Sequence, residues 1–417
     1  MPTKVRIFQQ TAKSFPTNSQ IFKYIYEKEY FCFWISLALH YLCSYMAGLY
    51  IHIPFCRSRC IYCGFYSTTM LELREEYVDA LCKEMRMRGH AVLDTIYLGG
   101  GTPSLLTRQM LGQLFDTIET VYDVRPGAEI TMECNPDDVD AHFAEMLNSL
   151  PVNRVSMGIQ SFDEERLKFL HRRHTAQQGR HAVDLLREAG INNISIDLMF
   201  GFPNETLEQW RYDINQALLL KVEHISAYSL MVEENTPLYR MVESQMVKEA
   251  DDDTYIIMYN QLVCLLKEAG YQHYEISNFA LPGYHSRHNS SYWNDIPYIG
   301  IGAAAHSYDV TSRSSNVADV KQYIHSIKSG VLPSEREDLS MTDRYNDMIT
   351  TRLRTCHGIC LENAASMFGE PMIEYLLKNA QPYLDSGWLV LEDGHLHLTH
   401  KGIMMSDTVM GDLIKID

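Results

Sequence analysis

From residue 49 onward, short β-rich runs alternate with amphipathic helical stretches, and few folds accommodate that rhythm. Runs at 49–53, 94–98, 129–133, 153–158, 193–198 and 223–229, with a seventh near 272–277, predict strands. Apolar periodicity predicts helices over 74–88, 107–121, 139–149, 176–189, 206–219 and 252–269. Strands and helices in this alternation argue for a parallel sheet that curls into a closed or nearly closed barrel. The expected fold class is α/β, with a partial (β/α)6-type TIM-like barrel over residues 46–310.

Past residue 310 the pattern changes. Helices are expected at 317–328, 341–353, 361–367 and 371–384, then a hairpin over 388–398 turning at Gly394, then a last helix after Thr399. This describes a small α+β domain of winged-helix type over 311–417. Its excess of Asp and Glu over Lys and Arg, within a chain of formal charge −17, argues against nucleic acid as its partner. Residues 1–45 stand apart. Their apolar stretch, 30–43, is shorter than the roughly 18–20 residues of a membrane span, so no stable membrane insertion is expected. The extension reads as poorly ordered chain, or as sequence upstream of a true start at Met46.

Ten cysteines in 417 residues are too few for a disulfide scaffold, which points to a reducing compartment, the cytoplasm. Most sit alone in apolar runs, as buried free thiols do, and Cys356-x3-Cys360 also reads as packing. Only Cys56-x3-Cys60-x2-Cys63, directly after the first strand, asks for chemistry. Three thiolates at this spacing can ligate three irons of a cubane and leave the fourth open. Zinc is the rival ligand, but a closed zinc site wants four ligands in paired spacing, and no second pair lies nearby.

Gly99-Gly100-Gly101-Thr102-Pro103-Ser104 follows the second strand as the cysteine loop follows the first. Glycines let the backbone approach a ligand and present its N–H groups. Glu133 and Asn135 close the third strand, Gln160 the fourth, Asp197 the fifth and Tyr228 the sixth. In a parallel barrel these ends meet at one mouth. His288-Asn289-Ser290-Ser291-Tyr292-Trp293 lies beyond those strands. Its imidazole and aromatic rings can serve a heme, but from spacing alone a loop packed on the barrel mouth is the stronger reading.

These motifs (Tyr50 through Cys63, the Gly-Gly-Gly-Thr-Pro-Ser run, and Ser156-Met157-Gly158-Ile159-Gln160) resemble the radical S-adenosylmethionine (SAM) family around the oxygen-independent coproporphyrinogen III oxidase. The resemblance runs from residue 46 to the C-terminus. Within that family His-Asn-x-x-Tyr-Trp, complete at 288–293, marks the HemW-type heme chaperones. The decarboxylating oxidases carry a further cysteine two residues after the third, where this chain has Phe65.

The resemblance implies a [4Fe–4S] cluster on Cys56, Cys60 and Cys63, with SAM on the open iron and touching Tyr50, Gly100 and Glu133. It implies that Tyr62, Gly101, Thr102, Gln160, Arg172 and Asp197 match the residues that hold a second SAM in the oxidase, and that His288 contacts heme. A reduced cluster would pass one electron to the SAM sulfonium. The partners so implied are heme or another porphyrin, a heme-acceptor protein, and an electron donor such as flavodoxin or ferredoxin. Two readings follow. The first is a heme-binding, heme-transferring protein with a radical SAM core. The second is an oxidase that decarboxylates coproporphyrinogen III, and Phe65 speaks against it.

Overall fold

The computed structural model describes residues 46–416. Its main sheet is built from β1 (Met46–Ile53), β2 (Val92–Gly100), β3 (Asp123–Cys134), β4 (Arg154–Gln160), β5 (Ile194–Phe200) and β6 (His224–Ser229). These lie side by side in chain order. The pairs from β2–β3 to β5–β6 are parallel, and helices cross back between them. Each predicted helix of this region is present. Thr175 with Gln178, and Thr206 with Gln209, form capping boxes on Ala176–Glu188 and Leu207–Leu219.

The seventh predicted run folds differently. β7 (Gln272–Glu275) is joined to β8 (Asn278–Ala280) by two residues, and so short a connection permits only antiparallel pairing. β8 then runs antiparallel on β6. At the other margin β9 (Tyr298–Ile301) pairs parallel with β1. β10 (His306–Tyr308), β11 (Ser312–Asn316) and β12 (Ser334–Asp338) extend the sheet antiparallel beyond it. The sheet of twelve strands stays open, with β12 and β7 at its edges.

Along β1–β6 the side chains alternate. Leu49, Ile51, Ile96, Leu98, Met132, Val155, Met157, Ile194, Ile196 and Ile225 enter one large core with the surrounding helices. Burying each such aliphatic side chain contributes about 1.5–3 kcal/mol. The residues between them face the concave side and are polar. Register aligns them in rows: Glu133, Ser156, Ser195 and His224 sit across from one another, as do Gly158, Asp197 and Ser226.

A second core, around Tyr345, Met348, Ile349, Leu376, Leu396 and Leu413, belongs to the C-terminal region. There β14 (Leu389–Glu392) and β15 (His395–Leu398) pair with the short β13 (Ile359–Cys360). Asp393 and Gly394 both take positive φ, 48° and 77°, the turn that suits the twist of a two-residue hairpin. No helix among the described residues is long and apolar enough to cross a membrane. The readings made for residues 1–45 lie outside the described residues.

Candidate functional site

The C-terminal ends of β1–β6 surround a cavity of about 660 Å³. All of the predicted site residues line it except Tyr50 and His288. No three His, Cys, Asp or Glu side chains among the described residues close on the single point that one metal ion needs. Cys56, Cys60 and Cys63 instead face this shared space. A set of three soft donors with no fourth fits a cluster that keeps one iron open, better than it fits structural zinc.

The loop that carries the thiols is tied down at both ends. The Cys56 N–H donates to the Thr68 carbonyl at 2.9 Å, and that of Ile61 to the Leu170 carbonyl at 3.3 Å. Each sulfur has a donor, that of Cys63 being the Phe65 backbone N–H. The Thr102 hydroxyl reaches Cys56 Sγ at 3.5 Å, and the Arg172 guanidinium reaches Cys60 Sγ at 3.5 Å. Arg172 is held in place by the Gly158 carbonyl at 2.6 Å and Asn135 Oδ1 at 2.9 Å. Burial pushes the Cys56 and Cys63 thiols up, so a metal that takes the thiolate form releases protons on binding.

The glycine run is forced by space. A Cβ on Gly101 would stand 2.6 Å from the Ile53 carbonyl oxygen and 2.9 Å from that of Phe55. Gly101 can therefore lie against the strand leading into the cysteine loop, its N–H bonded to Ile53 O at 2.9 Å. Gly100 has φ +102°, and its N–H donates to Glu133 Oε2 at 3.0 Å. The Tyr97 hydroxyl donates to the other Glu133 oxygen at 2.7 Å. Burial raises Glu133 to about 7 despite these bonds, and raises Asp197 to about 6 against the opposing pull of Ser226, Arg154 and Arg172. Gln160 sits at φ 68°, where the β4–β5 register shifts, and this turns it into the cavity.

His288 occupies a different place from the mouth. Residues Arg287–Trp293 form a short helix at the opposite, N-terminal end of the strands. Glu129, low on β3, accepts the backbone N–H groups of Arg287 and His288 at 3.0 and 2.9 Å. The His288 ring is 1% exposed. Its Nδ1 is hydrogen-bonded to Thr95 Oγ1 at 2.8 Å and its Nε2 to the Tyr292 hydroxyl at 2.9 Å. It stacks on Tyr97, with ring centroids 5.1 Å apart, and on Tyr50 at 6.4 Å. Burial, helped by the Arg154 charge, lowers it to about 3, so the imidazole is neutral. Tyr50 belongs to this layer beneath the cavity, its hydroxyl 3.0 Å from His52 Nδ1. Of the helix, Asn289 reaches the cavity lining.

Reading strand ends alone missed Arg154, Ser156 and Ser226, which also line the cavity. The signal was in the sequence: counting by twos back from Gln160 gives Gly158, Ser156 and Arg154 on one face of β4. The expectation for Cys356 also needs correction. That thiol is exposed, whereas Cys82 and Cys134 are buried as anticipated.

Comparison with known proteins agrees with this geometry. Residues 50–217 match the model of the radical SAM superfamily, and residues 339–405 that of the HemN C-terminal domain. The chain is 33% identical to the heme chaperone HemW of Lactococcus lactis over 86% of its own length and 95% of the relative's. The chain belongs to the HemW family. The HemW of Bacillus subtilis shares 33% identity, over 88% of this chain and 98% of the relative. That of Escherichia coli shares 34%, over 84% and 96%. Among solved structures, the Escherichia coli coproporphyrinogen III oxidase HemN superposes with a TM-score of 0.78 at 20% identity, covering 89% of this chain and 90% of that one. At that identity the likeness concerns the fold.

Proposed function

We propose that this protein binds heme and passes it to an acceptor protein, from a radical SAM core. The observation that carries the reading is the chain's likeness to relatives named heme chaperone over nearly their whole length, with Phe65 in place of a fourth cysteine. Cys56, Cys60 and Cys63 would hold the [4Fe–4S] cluster, which supplies one-electron reduction of SAM. Gly100 and Glu133 receive SAM at the open iron. A carboxyl poised near 7 loses its proton to solvent when a cation comes beside it, so Glu133 suits the ammonium end of SAM. Thr102 and Arg172 donate toward two of the sulfurs and lower the charge they present. Tyr62, Gly101, Gln160 and Asp197 form the remaining wall, where a second SAM has its counterparts in the oxidase. Tyr50 supports the floor from below. A flavodoxin or ferredoxin is the proposed electron donor, and the cytoplasm the proposed site of action.

The test uses protein purified anaerobically and reconstituted with iron and sulfide. Heme is titrated and the Soret band recorded; vinyl formation from coproporphyrinogen III is then assayed with SAM and a reductant. Saturable one-to-one heme binding without turnover is expected. Turnover to protoporphyrinogen IX without specific heme binding would overturn the reading in favour of the oxidase, whose fold this chain shares.

A further inference from the structure

Three large apolar side chains stand out on the rim of the cavity. Phe65 is 72% exposed, Met231 61% and Tyr228 40%, and all three line the one opening. Phe65 comes from the cysteine loop; Tyr228 and Met231 come from the end of β6 and the chain just after it. These two segments are braced together. The Leu238 N–H donates to the Ile61 carbonyl at 3.0 Å, and Ile61, Leu230 and Leu238 share a small buried cluster with Leu170 and Phe202. The exposed rings thus stand on a preformed base. Exposing apolar area in this way carries a standing cost, and large apolar groups gathered around one cavity mark a surface that a ligand can cover.

The charge on that rim points to the kind of partner. In a chain of net charge −17, Arg59 lines the same opening, is exposed, and has no ion-pair partner among the described residues. Its neighbour Arg57 faces Asp138 at 3.7 Å. The rim's carboxylate, Glu233, lies against Gly64. A ligand that matches is flat, apolar across its face and anionic at one edge, as a porphyrin with propionates is.

We propose that this rim is the heme-docking face. Phe65, Tyr228 and Met231 bear on the macrocycle, and Arg59 pairs with a propionate. This rests on the heme-binding reading. It also assigns the heme contact to the cavity mouth and not to His288, whose two ring nitrogens are both engaged beneath the cavity.

The full-length, cluster-reconstituted protein is titrated with hemin, for wild type, Phe65→Ala, Met231→Ala, Phe65→Tyr and Arg59→Glu. Iron and sulfide are measured on each sample. The two alanine variants should each weaken binding about tenfold, the loss expected for one aromatic or thioether contact, and Phe65→Tyr should retain affinity. Arg59→Glu should weaken hemin similarly but leave the affinity for hemin dimethyl ester unchanged, because the ester has no propionate charge. Should Phe65→Ala disturb the cluster, Met231→Ala, outside the cysteine loop, decides. Wild-type affinity in Met231→Ala and Arg59→Glu would overturn the rim assignment while leaving heme binding intact. A wild type that binds no heme would overturn both.

Discussion

Replacing His288 separates a buried prop from a heme ligand. In His288→Leu the hydroxyls of Thr95, 3% exposed, and Tyr292 lose their partner. A stranded buried hydroxyl costs about 1–3 kcal/mol. Loss of ring stacking on Tyr97 and Tyr50 adds about 0.5–1.5 kcal/mol. The sum is about 3–7 kcal/mol, which for a chain of this size lowers the melting temperature by roughly 4–9 °C. Adding Thr95→Val and Tyr292→Phe removes the stranded hydroxyls as well, so the triple variant should recover part of the loss. Calorimetry of the three proteins measures this. Hemin titration of the folded variants should give wild-type affinity and an unchanged Soret maximum. A His288→Leu protein that melts like wild type but loses heme binding tenfold would refute the reasoning and make His288 a ligand.

Other outcomes follow from the site. Glu133 goes from an ordinary 4.5 to about 7 on folding. The folded state therefore holds a proton that the unfolded chain releases. Stability is highest below about pH 4.5 and falls as pH rises toward 7, by about 3 kcal/mol from this group alone. Asp197, raised to about 6, adds to the fall with the same sign over a lower window. Urea unfolding of the cluster-free protein at pH 5 and pH 7.5 should show a decline that Glu133→Gln makes shallower; an equal decline in both would sink the assignment. Gly101→Ala drives a methyl into the Ile53 and Phe55 carbonyls. It should displace the cysteine loop and cut iron incorporation at least severalfold, whereas alanine at Gly112, which has open space around it, should leave iron content unchanged. Cys63→Ala should abolish the reconstituted cluster absorbance while the far-ultraviolet dichroism persists, because the thiol lies at a loop and not in a core.

Much of this was readable from residue order, because local physics sets it. Strand and helix positions follow from side-chain periodicity, the caps from Thr and Asp placement, and the final hairpin from Asp393-Gly394. The cysteine loop was legible because its three thiols lie within eight residues, so that no fold is needed to bring them together. The convergence of Gly100, Glu133, Gln160 and Asp197 was legible through the rule that parallel strands present one set of ends.

Tertiary structure decided what depends on distance between remote segments. Spacing could not say whether His288 faces ligand or core. Its surroundings come from Thr95 and Glu129, more than 150 residues away. The same holds for Arg154, buried with its Nε and one terminal nitrogen unpaired, and for the exposed ring of Phe65, which shares the rim with residues from the end of β6 and just after it. Sequence by itself determined the order of the elements and the chemistry each carries, since periodicity and short-range ligand spacing are local properties. Only the folded sheet determined which of those groups meet, which are sealed from water and which are left facing it, because burial and hydrogen bonding are set by whatever packs against a side chain, wherever it lies along the chain.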